Sequence, residues 1–308
     1  MPTEWPPLPY HEWRETRDTL HMYAQVLGKL RLALSPFEPE WANVALYVTA
    51  RGLTTSTMPV GLRSIDAELD LIDHVLVIRS SDGAVERRPL GGAVADFYHD
   101  AMAALRRLDV EVAISVLPSE VSDPIPFPDD RTHQTYDAGH ASRFYRVLSM
   151  VDLVTKEHHA GFWGRTTPVH FFWGSFDLAL TRFSGKRVEP PPGAGTIARF
   201  GGDAEQICAG WWPGDQRSPA AAFYAYGYPK TPGLEHAQVR PEAAAWDAAL
   251  GEFIFPYDAV RVQADPRQAV LDFYGSTYEA AAKLLGWDRE LTSVNAPLPA
   301  ESVGHARR

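Results

Sequence analysis

Four stretches of the chain repeat apolar residues at helical spacing. In 12–29, Trp13, Leu20 and Leu27 recur every seven residues, and Tyr23 and Leu30 fill the same face. In 94–108 the inward set is Val94, Phe97, Ala101, Leu105 and Leu108; in 138–159 it is Phe144, Leu148, Val151 and Val154. The fourth helix is predicted from its ends. Asp265 is a suitable N-cap, Pro266 suits the first helical position, and Gly286 stops the helix after Leu285. Short β-type runs fill the space between the first two helices: 44–48, 53–58, 65–69 and 75–78, with Asp82-Gly83 as a hairpin turn leading to Val85. Another strand is predicted over 110–117, closed by Pro118, and further strands follow the third helix at 169–173, 176–183, 207–212 and 222–226. The stretch 121–130 holds three prolines and 188–195 holds Pro190-Pro191-Pro192, so both read as loops.

This order predicts an α+β fold of antiparallel sheets covered by helices. The second helix contains Ala95-Asp-Phe-Tyr98 and the fourth contains Leu271-Asp-Phe-Tyr274, which is either a trace of duplication or chance. On the duplication reading, a helix–meander–helix half over 10–118 is joined by a Pro-rich loop, 119–136, to a second half over 137–290, with a flexible tail over 291–308. A cleft between such halves is the default pocket.

Composition narrows the class. Of 308 residues, 45% are hydrophobic and 22% charged, which is enough apolar material for a core and excludes whole-chain disorder. The net charge of −10, with no clustered basic patch, argues against nucleic acid and anionic membrane partners. The lone Cys208 cannot form an internal disulfide, no apolar run reaches the ~20 residues of a membrane span, and 1–9 lacks the features of a secretory signal, so a cytoplasmic location is expected. The glycine-rich, Walker-type, His-Glu-x-x-His and Gly-x-Ser-x-Gly signatures are missing, which leaves nucleotide-dependent chemistry little support and the cofactor unknown. Metal dependence and oligomeric state are left open.

The segment from His170 to Arg182 carries the sharpest chemistry. With Gly174-Ser175 as a two-residue type II′ turn, Trp173 pairs with Phe176, Phe172 with Asp177 and His170 with Ala179. Alternation then puts Val169, Phe171, Trp173, Phe176, Leu178 and Leu180 on the core face. His170 and Asp177 become diagonal neighbours on the other face. A carboxylate beside an imidazole suits a general base or metal ligand, or it is simply a satisfied polar pair. Arg14, Asp18, His21, Gln25 and Lys29 form a polar stripe on the first helix. It is either a solvated face or one in which His21 and Lys29 look into a cleft and hold an anion. Arg51, at a strand end, and Arg182 are further anion contacts, although Arg182 falls on the opposite face from His170. Glu120 and Asp130 flank the stiff Pro-rich loop, and Trp173 and Trp212 are candidate apolar walls.

Several of these segments resemble a bacterial family catalogued as domain of unknown function 5996. The likeness runs through Trp13-Arg14, Gln25, Gly28-Lys29, Trp41 and Thr49 to Thr55. It continues through Pro124 to Phe127, Pro168 to Leu178, Thr181 to Gly185, Trp212-Pro-Gly214, Phe223 to Tyr226 and Pro256-Tyr257-Asp258. It spans nearly the whole chain and implies no activity. Proteins similar to this one carry Ser-His-Glu shortly before the Trp-Pro-Gly, where this chain has Asp203-Ala204-Glu205. Two functions are therefore expected as alternatives. One is a cleft for a small polar or anionic ligand, with His170 as base or ligand and Asp177 orienting it. The other is a non-enzymatic binding or assembly module, which would expose a flat apolar patch instead.

Overall fold

The computed structural model of the chain describes residues 5–292. Its first helix, α1 (Tyr10–Leu34), is buried at every position from Thr19 to Arg31. An amphipathic surface helix would leave its polar face wet. Here the apolar stripe enters the core, while the polar stripe is covered by loops from His21 onward.

A first antiparallel meander follows: β1 (Tyr47–Val48), β2 (Gly52–Thr54), β3 (Met58–Val60), β4 (Arg63–Asp70), β5 (Val75–Ser80) and β6 (Val85–Pro89). Its order is β1-β2-β4-β5-β6, with β3 pairing the other end of β4. Next come α2 (Val94–Arg107) and α3 (Ala138–Ala160), then β7 (His170–Phe172), β8 (Asp177–Arg187), α4 (Thr196–Gly201), β9 (Ala204–Trp212), β10 (Ala222–Tyr228), β11 (Ala245–Asp247), β12 (Glu252–Pro256), α5 (Tyr257–Arg261) and α6 (Pro266–Leu285). The second sheet runs β11-β12-β10-β9-β8-β7. Leu46 and Phe171 exchange backbone hydrogen bonds of 2.9 and 2.8 Å, which ties the two sheets together at the β1 and β7 edges. The class is therefore α+β, with helices covering two antiparallel sheets. Among the described residues, no helix is long and apolar enough to cross a membrane. Most of the expected tail, 293–308, lies outside the described residues.

The helix ends follow local chemistry. Asp137 caps α3 by accepting from the His140 N–H at 2.8 Å, and Asp265 caps α6 from the Gln268 N–H at 3.0 Å. Gly286 ends α6 at φ +65°. Three strand predictions need correction. The 53–58 run is two strands, β2 and β3, broken where Ser56 takes a left-handed φ of 57°. Residues 110–117 keep the predicted alternation, with Val110, Val112 and Ile114 against the core, but no strand pairs with them. The chain between 229 and 264 contains β11, β12 and α5, which periodicity missed because each spans at most five residues.

The second sheet has two unlike faces. Leu178, Leu180, Ile207, Ala209, Trp211, Phe223, Ala225, Phe253 and Phe255 point into the core shared with α3 and α6. Alternation sends Asp177, Thr181, Cys208, Tyr224, Tyr226 and Glu252 to the opposite face. There they meet the N-terminal half of α1 and the 119–123 loop.

The polar stripe holds that loop. Gln25 binds both backbone groups of Ser119, donating to its carbonyl at 2.7 Å and accepting from its N–H at 2.9 Å. Lys29 Nζ donates to Ser119 Oγ at 3.0 Å. Replacing Gln25 with alanine strips both partners from a covered peptide group. A cost of about 2–4 kcal/mol in urea unfolding is expected, whereas Arg14→Ala, exposed on the same stripe, should stay within about 0.5 kcal/mol of the parent.

Candidate functional site

The β7–β8 register is the one the alternation demands: His170 opposite Ala179, Phe171 opposite Leu178 and Phe172 opposite Asp177. The connection differs. It is a four-residue turn, Trp173 to Phe176, with the left-handed φ of 60° at Phe176 and not at Gly174. Two- and four-residue turns close on the same pair, so the register survives the error. Helix α1 imposes the wider turn. His21 Nε2 lies 2.8 Å from the Trp173 carbonyl and 3.1 Å from that of Gly174, so this nitrogen must carry the proton and donate. The His21 ring also packs 4.8 Å from Phe176. Burial and the adjacent Arg17 lower the His21 pKa to about 3, leaving a neutral imidazole that acts as a fixed donor.

Beyond this turn opens a cavity of about 550 Å³. Its floor is the polar sheet face, with Asp177, Trp212, Tyr224, Tyr226 and Glu252. Arg17, Asp18 and His21 of α1 and Glu120 to Asp123 of the clamped loop form the walls. Asp177 accepts hydrogen bonds from Ser175 Oγ and from the Tyr224 hydroxyl. Gly210 makes the second bond possible, because a Cβ there would stand 2.3 Å from the Tyr224 oxygen. Burial pushes the Asp177 carboxyl up, against these two bonds, which pull it down. Burial raises Glu120 as well, helped by the Asp177 charge. Burial, Asp177 and Asp247 together lift Glu252 to about 7. Six carboxylate residues line this lobe, Asp18, Glu120, Asp123, Asp177, Asp215 and Glu252, against two arginines, Arg17 and Arg217. Among the described residues, no group of three or more His, Cys, Asp or Glu is arranged to hold a metal ion.

A second lobe of about 420 Å³ adjoins the first. Its walls are mainly apolar: Leu32, Trp41, Val44, Phe172, Trp173 and Ile197. Trp173 is fixed by its indole N–H, which donates to the Val44 carbonyl at 2.8 Å, and by Lys29 Nζ, 5.3 Å above its ring.

The structure brings together some of the expected site residues and separates others. His21, Asp177 and Trp212 line the first lobe, and Trp173 lines the second. Lys29 lies behind Trp173 and holds Ser119, not a ligand. The expected His170–Asp177 pair does not form. His170 is 1% exposed and packs on Tyr47 and Phe172, and its Nε2 has no hydrogen-bond partner. Burial and Arg31 lower its pKa to about 4. The separation arises because Ser175 and Tyr224 lie closer to Asp177 and take both its oxygens. Arg51 is engaged by Asp70 at 2.5 Å and Asp73 at 2.7 Å, away from either lobe. Arg182 lies on the helix-covered face between Phe162 and Tyr278 and donates to the His158 carbonyl.

A carboxylate–imidazole pair does exist, at different residues. Asp130, fully buried, meets His133 Nδ1 at 2.7 Å, and His133 lines the rim of the first lobe. Asp130 also caps the N–H groups of Thr132 and His133, and its hydrogen bond to His133 raises the pKa of that ring. Sequence reasoning passed over Glu252, Arg17 and Ser175. The turn glycine Gly251 followed by alternating Phe253 and Phe255 was the available signal for a strand with Glu252 facing the other way.

The Glu252 shift sets a pH dependence. A carboxyl that binds its proton more tightly in the folded state stabilises that state at low pH. The contribution fades as pH rises from the ordinary value of 4.5 to about 7, and is flat above. The melting temperature of Glu252→Gln minus that of the parent should therefore grow across this window and level off near neutrality. A difference independent of pH would contradict the shift.

Residues 5–294 match the family described as Family of unknown function (DUF5996). No curated protein and no solved structure matches the chain. With one family covering nearly its whole length, this chain belongs to the DUF5996 family of unknown function.

Proposed function

We propose that the protein binds a small organic cation in the acidic lobe. The observation that carries this reading is that Asp177, Glu120 and Glu252 line one cavity, all three with their proton affinity raised by burial and the latter two also by the Asp177 charge. Carboxylates desolvated beside one another are destabilised. An ammonium or guanidinium group placed among them relieves that repulsion and takes up their free lone pairs. The charge balance disfavours the anionic ligand expected from the sequence, since Arg51 and Arg182 are engaged elsewhere. The same balance argues against nucleic acid. The lone Cys208 supports a cytoplasmic location. The buried phenylalanines of the shared Asp-Phe-Tyr, Phe97 and Phe273, support two related halves.

One observation favours chemistry in addition to binding. A carboxyl with a pKa near 7 exchanges its proton readily at neutral pH, and Glu252 is that group. On this second reading Glu252 is the general acid or base, and Asp177, locked by Tyr224, stays fixed beside it.

Thermal shift tests the binding reading. Ethylammonium and 1,4-diaminobutane should raise the melting temperature of the parent at pH 7, relative to potassium chloride of equal ionic strength. They should do so much less for Asp177→Asn. Stabilisation by acetate or phosphate in their place would reverse the assigned charge.

A further inference from the structure

The two lobes adjoin. Both are lined by Glu120, Gly174, Ser175 and Tyr226, so these residues form the waist between them. The waist is built under constraint. Glu120 and Phe176 both hold left-handed backbone at φ 60°, a conformation unfavourable for residues with a Cβ. Such strain persists only where the surroundings impose it. Here the surroundings are α1: Gln25 and Lys29 fix Ser119 immediately before Glu120, and His21 fixes the turn that carries Phe176. The result sets the Glu120 carboxyl over the bare backbone of Gly174, where a Cβ would stand 2.1 Å from Oε1.

We infer that the ligand is an amphiphile: a primary ammonium joined by a short chain to an aromatic or branched apolar group. Its head lies among Asp177, Glu120 and Glu252, and its tail crosses the waist into the lobe walled by Trp41, Phe172, Trp173 and Ile197. This deepens the proposed cation-binding reading and rests on it. The commitment to an apolar tail comes from the shared wall of the lobes and from their contrast. The first lobe carries six carboxylate residues, of which Asp18 and Asp215 are bonded to Arg17 and Arg217 and four are not ion-paired to an arginine among the described residues. The second carries Glu120, shared at the waist, and Glu40, which is already bonded to Arg165. A polycation would need carboxylates in both lobes, whereas an amphiphile needs the division seen here. Glu120 at the waist is then the residue that sets specificity. It selects ligands whose charge sits within one chain length of the apolar part.

Calorimetric titration with three probes tests this: ethylammonium, 2-phenylethylammonium, and the uncharged 2-phenylethanol. Phenylethylammonium should bind the parent at least about tenfold more tightly than ethylammonium, the gain from removing a ring from water. Phenylethanol should bind at least about tenfold more weakly than phenylethylammonium. Ile197→Ala, a change at a side chain 60% exposed and therefore safe for folding, should shrink the tail's advantage and leave ethylammonium binding as it was. Gly174→Ala displaces only the flexible end of Glu120. It should keep the parent's melting temperature while lowering affinity for phenylethylammonium. Equal affinities for ethylammonium and phenylethylammonium would overturn the amphiphile and leave the cation reading standing. Equal binding of phenylethanol, or no binding of either amine, would overturn both.

Discussion

The buried polar stripe of α1 is the constraint on which the rest of the site depends. His21, Gln25 and Lys29 follow one another at four-residue spacing and lie beneath two loops. Polar groups removed from water are tolerable only when their hydrogen bonds are replaced. Here the replacements are backbone groups at Ser119, Trp173 and Gly174, together with the Ser119 hydroxyl. The helix therefore cannot be satisfied unless both loops are in place, and the loops cannot relax without leaving its side chains unsatisfied. Glu120 sits one residue beyond the first anchor, and Ser175 and Asp177 sit just beyond the second. The stripe thus positions acids that it does not itself touch.

The chemistry of the cleft follows from this scaffold and from the unequal faces of the second sheet. The inner face is apolar apart from Arg182 and locks β8, β9, β10 and β12 in register, so every second residue must emerge on the far side. Tyr224 emerges beside Gly210, where the missing Cβ lets its hydroxyl reach Asp177. Glu252 emerges within the field of the same carboxylate. Acids placed this way bind their protons more tightly than exposed acids do.

Much of this was legible in the chain. The four main helices follow from periodicity and caps, because Asp265-Pro266 and Gly286 are local signals that tertiary contacts need not supply. The hairpin register was legible too, and so were the facing of Asp177 and the existence of the α1 stripe. What the stripe touches was not. A polar stripe looks the same whether water or a loop covers it, and the loop partners lie about 90 and 150 residues away. The His170–Asp177 pair failed for a related reason. Register places two residues on one face, but it does not say which neighbours reach a carboxylate first, and Tyr224 arrives from a different strand. Glu252 was hidden in a five-residue strand too short to show a period.

The central claim is that three carboxyl groups are held, partly desolvated, around one cavity. Carbon-13 NMR of the side-chain carboxyl of Glu252, followed through a pH titration, tests it most directly. The account predicts a midpoint near 7 in the parent protein and a lower one in Asp177→Asn. A midpoint at the ordinary 4.5 in the parent, unmoved by that substitution, would contradict it.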